Sequence, residues 1–431
     1  MIAIVSADDE AALAGLFAGG WDPSDELRTT VAEILSDVRA RGDAAVVAYT
    51  RRFDCPGASV AALRRPVPSL EEAAASIPPA IVAGLQLARD RVAAFHERQR
   101  GRDIEHRDVD GTVSALLVRP LGAVGAYVPG GTASLPSSVI MTVVPAKIAG
   151  VARVVVATPP SRDGSPSAAI LYACALCGVD ELFVAGGAQA IAALAHGTQT
   201  LARVDKIVGP GNAWVTEAKR QVFGTCGIDG LAGPSEVLVV ADAEANPAFV
   251  AGELVAQAEH DPLARVAAVS EDRAILERVA QLLDGPFATE CGRREIVGKV
   301  LTERAYLVHA RDRADVLAVI DRFAPEHLSI QTRDPWELVP EIARAGALFL
   351  GDETPVAAGD YIAGSNHVLP TSGAGRFSSG LRTADFFRTM SLVENSRARM
   401  RADAAVLAAL ASFEGLPAHA RTADMRAGEG R

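Results

Sequence analysis

No apolar run approaches the ~20 residues a helix needs to cross a bilayer, so no membrane span is expected. The start, Met1-Ile-Ala-Ile-Val-Ser-Ala-Asp-Asp-Glu10, has neither a basic stretch nor a small-residue cleavage site; a secretory signal is not expected. Nor is there a Lys/Arg cluster long enough to follow a phosphate backbone, and 42 basic against 53 acidic residues leave a formal charge of -11, which argues against nucleic acid as a partner. Cysteine is scarce and odd in number. The five residues Cys55, Cys174, Cys177, Cys226 and Cys291 suit a reducing, cytoplasmic compartment better than a disulfide framework. Cys174-Ala-Leu-Cys177 has C-x-x-C spacing, yet it sits in an apolar helical run with no second cysteine pair and no neighbouring His, so buried structural thiols are expected. G-x-G-x-x-G and H-E-x-x-H are both missing, which removes the usual dinucleotide fingerprint and any local metal motif. There is no tandem repeat.

What is present is length and apolar content: 431 residues, 49% hydrophobic, are enough for more than one core. From about residue 120, short β-type runs such as Val124-Gly-Ala-Tyr-Val128, Arg153-Val-Val-Val-Ala157 and Glu181-Leu-Phe-Val-Ala185 alternate with helical segments. The rhythm continues through Glu236–Ala241, Arg265–Val269, Ala305–His309 and Ala347–Leu350. Such alternation predicts α/β architecture: two Rossmann-like parallel-sheet domains lacking G-x-G-x-x-G, with smaller helical N- and C-terminal parts. The expected division is a helical extension over 1–22, a discontinuous first α/β domain over 23–120 and 236–380, a second over 121–235, and a C-terminal helical segment over 381–431. Asp110-Gly111 reads as a hairpin turn, and Ser396–Glu414 as a helix stopped by Gly415 and Pro417.

Glycine- and proline-bearing loops stand at several strand ends: Tyr127-Val-Pro-Gly-Gly131, Gly186-Gly-Ala-Gln189, Gly209-Pro-Gly-Asn212 and Ala232-Gly-Pro-Ser-Glu236. Glycine there lets a ligand approach the backbone closely, so a cleft is expected along the strand ends. Imidazoles beside carboxylates recur at element ends: Glu259-His260, Glu326-His327 after Pro325, Asp360 and His367 in a turn-rich stretch, and Glu414 and His419 around a Gly-Leu-Pro break. These residue types hold zinc or move protons near neutral pH. Gln257 and His260 share a helix face, but Glu253, Gln257 and His260 also read as the polar stripe of an ordinary surface helix. His96, His106, His196 and His309 lack such company and are expected to be structural or exposed.

Taken in order, Ala232-Gly-Pro-Ser-Glu-Val-Leu-Val-Val240, Ala256-Gln-Ala-Glu-His260, Ala324-Pro-Glu-His-Leu328, Gly359-Asp-Tyr361, Ser365-Asn-His-Val-Leu-Pro-Thr371 and Glu414-Gly-Leu-Pro-Ala-His419 closely resemble the histidinol dehydrogenase family. The likeness spans nearly the whole chain. It implies zinc (Zn2+) held by Gln257, His260, Asp360 and His419, and oxidation of L-histidinol through L-histidinal to L-histidine with two NAD. By the same resemblance His327 is the base and Glu326 activates water. Glu414 would pair with the substrate's ammonium, Ser235 and His367 would line the pocket, and Tyr127, Gln189 and Asn212 would contact NAD. It further implies a homodimer whose C-terminal segment crosses to complete the other subunit's site. Gly111–Leu117 and Leu381–Phe387 depart from the family's pattern, which keeps open a paralogue oxidising another primary alcohol, such as a hydroxyalkyl sulfonate. A zinc hydrolase is the reading from a different class.

Overall fold

The computed structural model describes residues 2–20, 22–130, 134–285 and 291–427; Gly131 of the Tyr127 loop lies outside them. Two six-stranded sheets organise the chain. One consists of β2 (Arg64–Arg65), β5 (Ala123–Tyr127), β6 (Arg153–Thr158), β7 (Glu181–Val184), β8 (Lys206–Val208) and β9 (Gly227–Ile228), in the order β2-β7-β6-β5-β8-β9. The other consists of β1 (Ile4–Ser6), β10 (Glu236–Ala241), β11 (Arg265–Ser270), β12 (Ala305–His309), β13 (His327–Gln331) and β14 (Ala347–Leu350), in the order β1-β12-β11-β10-β13-β14. All pairings are parallel except β2 with β7. Every residue of β10 and β11 is buried. Such strands need helices on both faces, and that is why their sequences are continuous Val/Ala/Leu runs without alternation.

Hydrogen bonding and packing group the chain differently from the expected division. Val31, Ile34 and Val38 of the helix Asp25–Arg41 share a core with Ile191, Leu194 and Val215, and β2 extends the β7 edge. Residues 25–97 therefore pack on the 121–235 sheet, not on that of 236–380. At the N-terminus, residues 4–6 are a strand paired with β12, and Leu13 and Leu16 of the helix Glu10–Phe17 enter the core of the second sheet. The extension is thus not purely helical. Periodicity reveals which face of a helix is apolar, but not which sheet will cover it.

A third, antiparallel sheet of β3 (Ile104–Arg107), β4 (Val113–Pro120) and β15 (Phe387–Glu394) has the order β15-β4-β3 and contains the turn at Asp110-Gly111. β15 pairs along all of β4, so 113–117 of the first unusual stretch lie against Met390–Glu394, while the second ends at Phe387 opposite Pro120 and Leu121 N donates to Phe386 O. The C-terminal helices Arg397–Phe413 and Pro417–Ala427 pack mainly against each other. Cys55, Cys174, Cys177 and Cys226 are free thiols, and burial pushes those of Cys174 and Cys177 upward, Cys177 to about 12. No helix among the described residues is long and apolar enough to cross a membrane.

Candidate active site

In the first sheet, β5 leads to β6 and β7 on one side while β8 lies on the other, so the crevice between the carboxyl ends of β5 and β8 is a topological switch point. A cavity of about 620 Å³ opens there, and its walls include Tyr127, Gln189 and Asn212 together with Phe53, Asp54 and Trp214. The Tyr127 hydroxyl accepts from Gly187 N at 3.1 Å, and burial pushes its pKa up to about 12, so it remains a neutral phenol. Gln189 is buried and donates to Asp54 Oδ2 at 3.5 Å. Asn212 caps the helix Ala213–Val222 by accepting from Trp214 N and Val215 N at 3.1 and 3.2 Å, which leaves its amide NH2 for a ligand.

The loop carrying Asn212 is clamped from both sides of Gly209. Asp229 Oδ2 accepts from Gly209 N at 2.6 Å, while Lys219 Nζ, in a buried ion pair with Asp229, donates to Gly209 O at 2.9 Å. Gly209 has φ +107, and a Cβ there would sit 2.2 Å from Tyr127 O. Only glycine permits that approach.

Asp54 was not anticipated. Burial raises its pKa from 3.8 to about 6. A carboxylate after a basic helix end, in Arg51-Arg-Phe-Asp54, reads as a solvated charge; only the fold turns it into a cavity wall.

The second cluster lies at the opposite, amino edge of the second sheet. Glu326 and His327 sit at the start of β13, beside Glu236 at the start of β10. Glu236 N donates to Glu326 Oε2 at 2.9 Å, and Glu236 O is 2.9 Å from His327 Nδ1. A carbonyl can only accept, so Nδ1 carries the proton and Nε2 keeps its lone pair. Burial lowers the His327 pKa, opposed by Asp360 and the Glu236 carbonyl and reinforced by His260 and His367. The same burial, with Glu236 and Asp360 adding, drives Glu326 well above the usual carboxylate range.

The structure brings Asp360, His260, His327 and His367 within electrostatic reach of one another. The helix Pro247–Ala258 delivers Gln257 and, just past its end, the exposed His260 to this edge. Gln257 is 3% exposed, and its Nε2 has no partner among the described residues. Glu253, one turn earlier, is buried and accepts from Val356 N at 3.2 Å, which caps the helix Val356–Tyr361 that carries Asp360. The surface-stripe reading of Glu253 and Gln257 is therefore wrong: both face inward. Gly359 lets the Asp360 helix close onto Phe349, whose ring also packs 5.8 Å from His327. His367 Nδ1 lies 2.9 Å from Asp360 O, and Ser235 immediately precedes Glu236.

Glu414 and His419 stand apart from this cluster within one chain. Both are exposed on the C-terminal helical pair, and their main-chain hydrogen bonds stay local, to Leu410, Ser412, Leu416 and Thr422. No group of three or more His, Cys, Asp or Glu able to hold a metal occurs among the described residues.

A cavity at a switch point on one sheet and an acid–imidazole cluster on the next form an arrangement a dinucleotide-dependent oxidoreductase can use. The histidinol dehydrogenase family profile matches residues 21–427. The chain is 44% identical over 426 residues to a histidinol dehydrogenase from Dechloromonas aromatica (strain RCB), covering 99% of this chain and 98% of that one. It is 47% identical over 403 residues to one from Pseudomonas aeruginosa, covering 93% and 91%. The crystal structure of histidinol dehydrogenase from Elizabethkingia anophelis superposes with a TM-score of 0.92 at 30% identity, covering 99% and 98%. The chain belongs to the histidinol dehydrogenase family and is an NAD-dependent oxidoreductase.

Proposed function

We propose that this protein oxidises L-histidinol through L-histidinal to L-histidine, using two NAD and a bound zinc ion. The observation that carries the reading is the bracket around Glu236, whose N–H holds Glu326 and whose C=O leaves His327 Nε2 free as a base. Gln257, His260 and Asp360, completed by His419 of the partner subunit, would hold zinc, the buried Gln257 ligating through its amide oxygen beside imidazole and carboxylate donors. When bound, zinc would fix the imidazole and amine of the substrate, and NAD in the Tyr127–Gln189–Asn212 cavity would accept the electrons. His327 takes the hydroxyl proton at Nε2 in each oxidation. Glu326, a strong base once ionised, takes a proton from the water that adds to the aldehyde carbon. Glu414 of the partner subunit would pair with the ammonium group, with Ser235 and His367 lining the pocket.

Dimerisation is supported by the C-terminal helices, which leave Val406, Leu410 and Phe413 63%, 60% and 92% exposed. A cytoplasmic setting rests on the odd number of cysteines.

Electrostatics separate the alternatives. Asp360 lies at the amino edge within electrostatic reach of Glu326, and the helix Pro247–Ala258 directs its C-terminal carbonyls there. A cationic amino alcohol suits this field, and a sulfonate does not. Purified protein with zinc, L-histidinol and NAD should yield two NADH per histidinol, followed by absorbance. Activity confined to another alcohol would select the paralogue; ester or amide cleavage without NADH would select the hydrolase.

A further inference from the structure

Glu236 does more than lend its main chain. Its side chain is fully buried, and one carboxylate oxygen, Oε2, has no hydrogen-bond partner among the described residues. The other accepts from Ser372 N at 3.1 Å and from Arg265, its neighbour across the β10–β11 ladder. The Arg265 guanidinium also donates to Leu16 O at 3.0 Å and to Ala18 O, both at the end of the N-terminal helix. Its plane lies over the Phe323 ring, 5.5 Å from the centroid, and Phe323 ends the helix that leads into Glu326. One planar cation thus touches β10, the N-terminal segment and the element feeding β13.

We infer that the Arg265–Glu236 pair is a positioning unit for the redox site, with the carbonyls of Leu16 and Ala18 as its outer support. It fixes the Glu236 main chain, and through that one residue both the Glu326 carboxylate and the His327 tautomer. The inference rests on the roles given above to Glu326 and His327. Removing Arg265 leaves a buried carboxylate without its cation, and the nearest relief is movement of the strand edge that carries the two hydrogen bonds. Displacement of reacting groups by about 1 Å is enough to cost roughly a hundredfold in rate. Lysine keeps the charge but not the fork that spans a carboxylate and two carbonyls, so its rescue should be partial.

The test is step-resolved kinetics of R265M and R265K beside H327N and E326Q, with histidinol and histidinal supplied separately and thermal unfolding recorded. Folded R265M should lose roughly tenfold to a hundredfold in kcat for both steps, with the KM for NAD within about twofold because the cofactor cavity lies on the other sheet. R265K should fall between R265M and wild type. A folded R265M with wild-type kcat in either step, or with its loss confined to KM for NAD, overturns the proposal. Where R265M does not fold, R265Q takes its place, and unchanged kcat in folded R265Q is equally fatal. If H327N and E326Q themselves retain both steps, the underlying reading fails and the pair's role falls with it. If those two lose activity and the Arg265 variants do not, only the positioning role is rejected.

Discussion

The two parallel sheets share one strand order, β7-β6-β5-β8-β9 matching β12-β11-β10-β13-β14, yet they use opposite edges. The first opens a cavity at its carboxyl edge, where helix N-termini point and phosphates are favoured. The second gathers Glu326, His327, Gln257 and Asp360 at its amino edge, where helices end and their carbonyls favour cations. On the proposed reading, shared topology does not decide which edge of a sheet works: a dinucleotide takes one polarity, and a metal with an ammonium-bearing substrate the other.

The comparison is broken most forcefully by removing the base. His327→Asn should lower kcat for both oxidations by roughly 10² to 10⁴, while the KM for NAD changes little; a large rise in that KM would mean the two edges are not separate sites. Next in size, Glu253→Gln should weaken zinc binding by roughly tenfold or more, because supporting shells of metal ligands carry effects of that order. Competition against a chelator checks it. An unchanged zinc affinity would remove the role given to the Val356 cap. Gln189→Ala should act in the reverse sense, raising the KM for NAD and leaving zinc affinity as it was.

The division of labour was partly legible in the sequence. Tyr127 ends β5, Gln189 lies in the first turn of the helix Gly187–His196 and Asn212 caps the helix Ala213–Val222, each beside glycine, and the fold collects them in one cavity. Glu326-His327 stood out because a proline corner precedes it. Glu253 did not, since a carboxylate one turn from Gln257 has the same spacing whether it faces water or caps a distant helix; only the arrival of Val356, 103 residues later, decides. Arg265 was hidden in the same way among the residues opening a buried strand. Residues 25–97 were attached to the wrong sheet because the amphipathic pattern of the helix Asp25–Arg41 carries no address. His419 and Glu414 are legible only through resemblance, because their proposed neighbours belong to another copy.

Asp54 gives a smaller and more specific test at the carboxyl edge. Burial raises its pKa in the folded protein from 3.8 to about 6, so between those values the folded chain holds a proton that the unfolded chain has released. Stability therefore falls as pH rises through that window, and the cost is complete above it. Asp54→Asn removes the cost and should raise the melting temperature at pH 7.5 by a few degrees, a difference that vanishes below about pH 4. Equal melting curves at both pH values would show that solvent at the cavity mouth already screens the charge.

The smallest effect is expected at the carboxyl edge of the second sheet, the counterpart of the cofactor cavity. A cavity of about 410 Å³ exists there too, lined by Asp242, Asp272, Arg313 and Arg333 among others. Its cations are already engaged: Arg333 with Glu244 and Asp334, Arg313 with Glu341 and the Glu337 carbonyl. A phosphate entering would have to displace those carboxylates and would face Asp242 and Asp272 as well. Arg333→Ala should accordingly change kcat/KM for histidinol and for NAD by less than about twofold, the range of an exposed ion pair. A selective rise in the KM for NAD would place cofactor binding at both carboxyl edges and undo the contrast between the sheets.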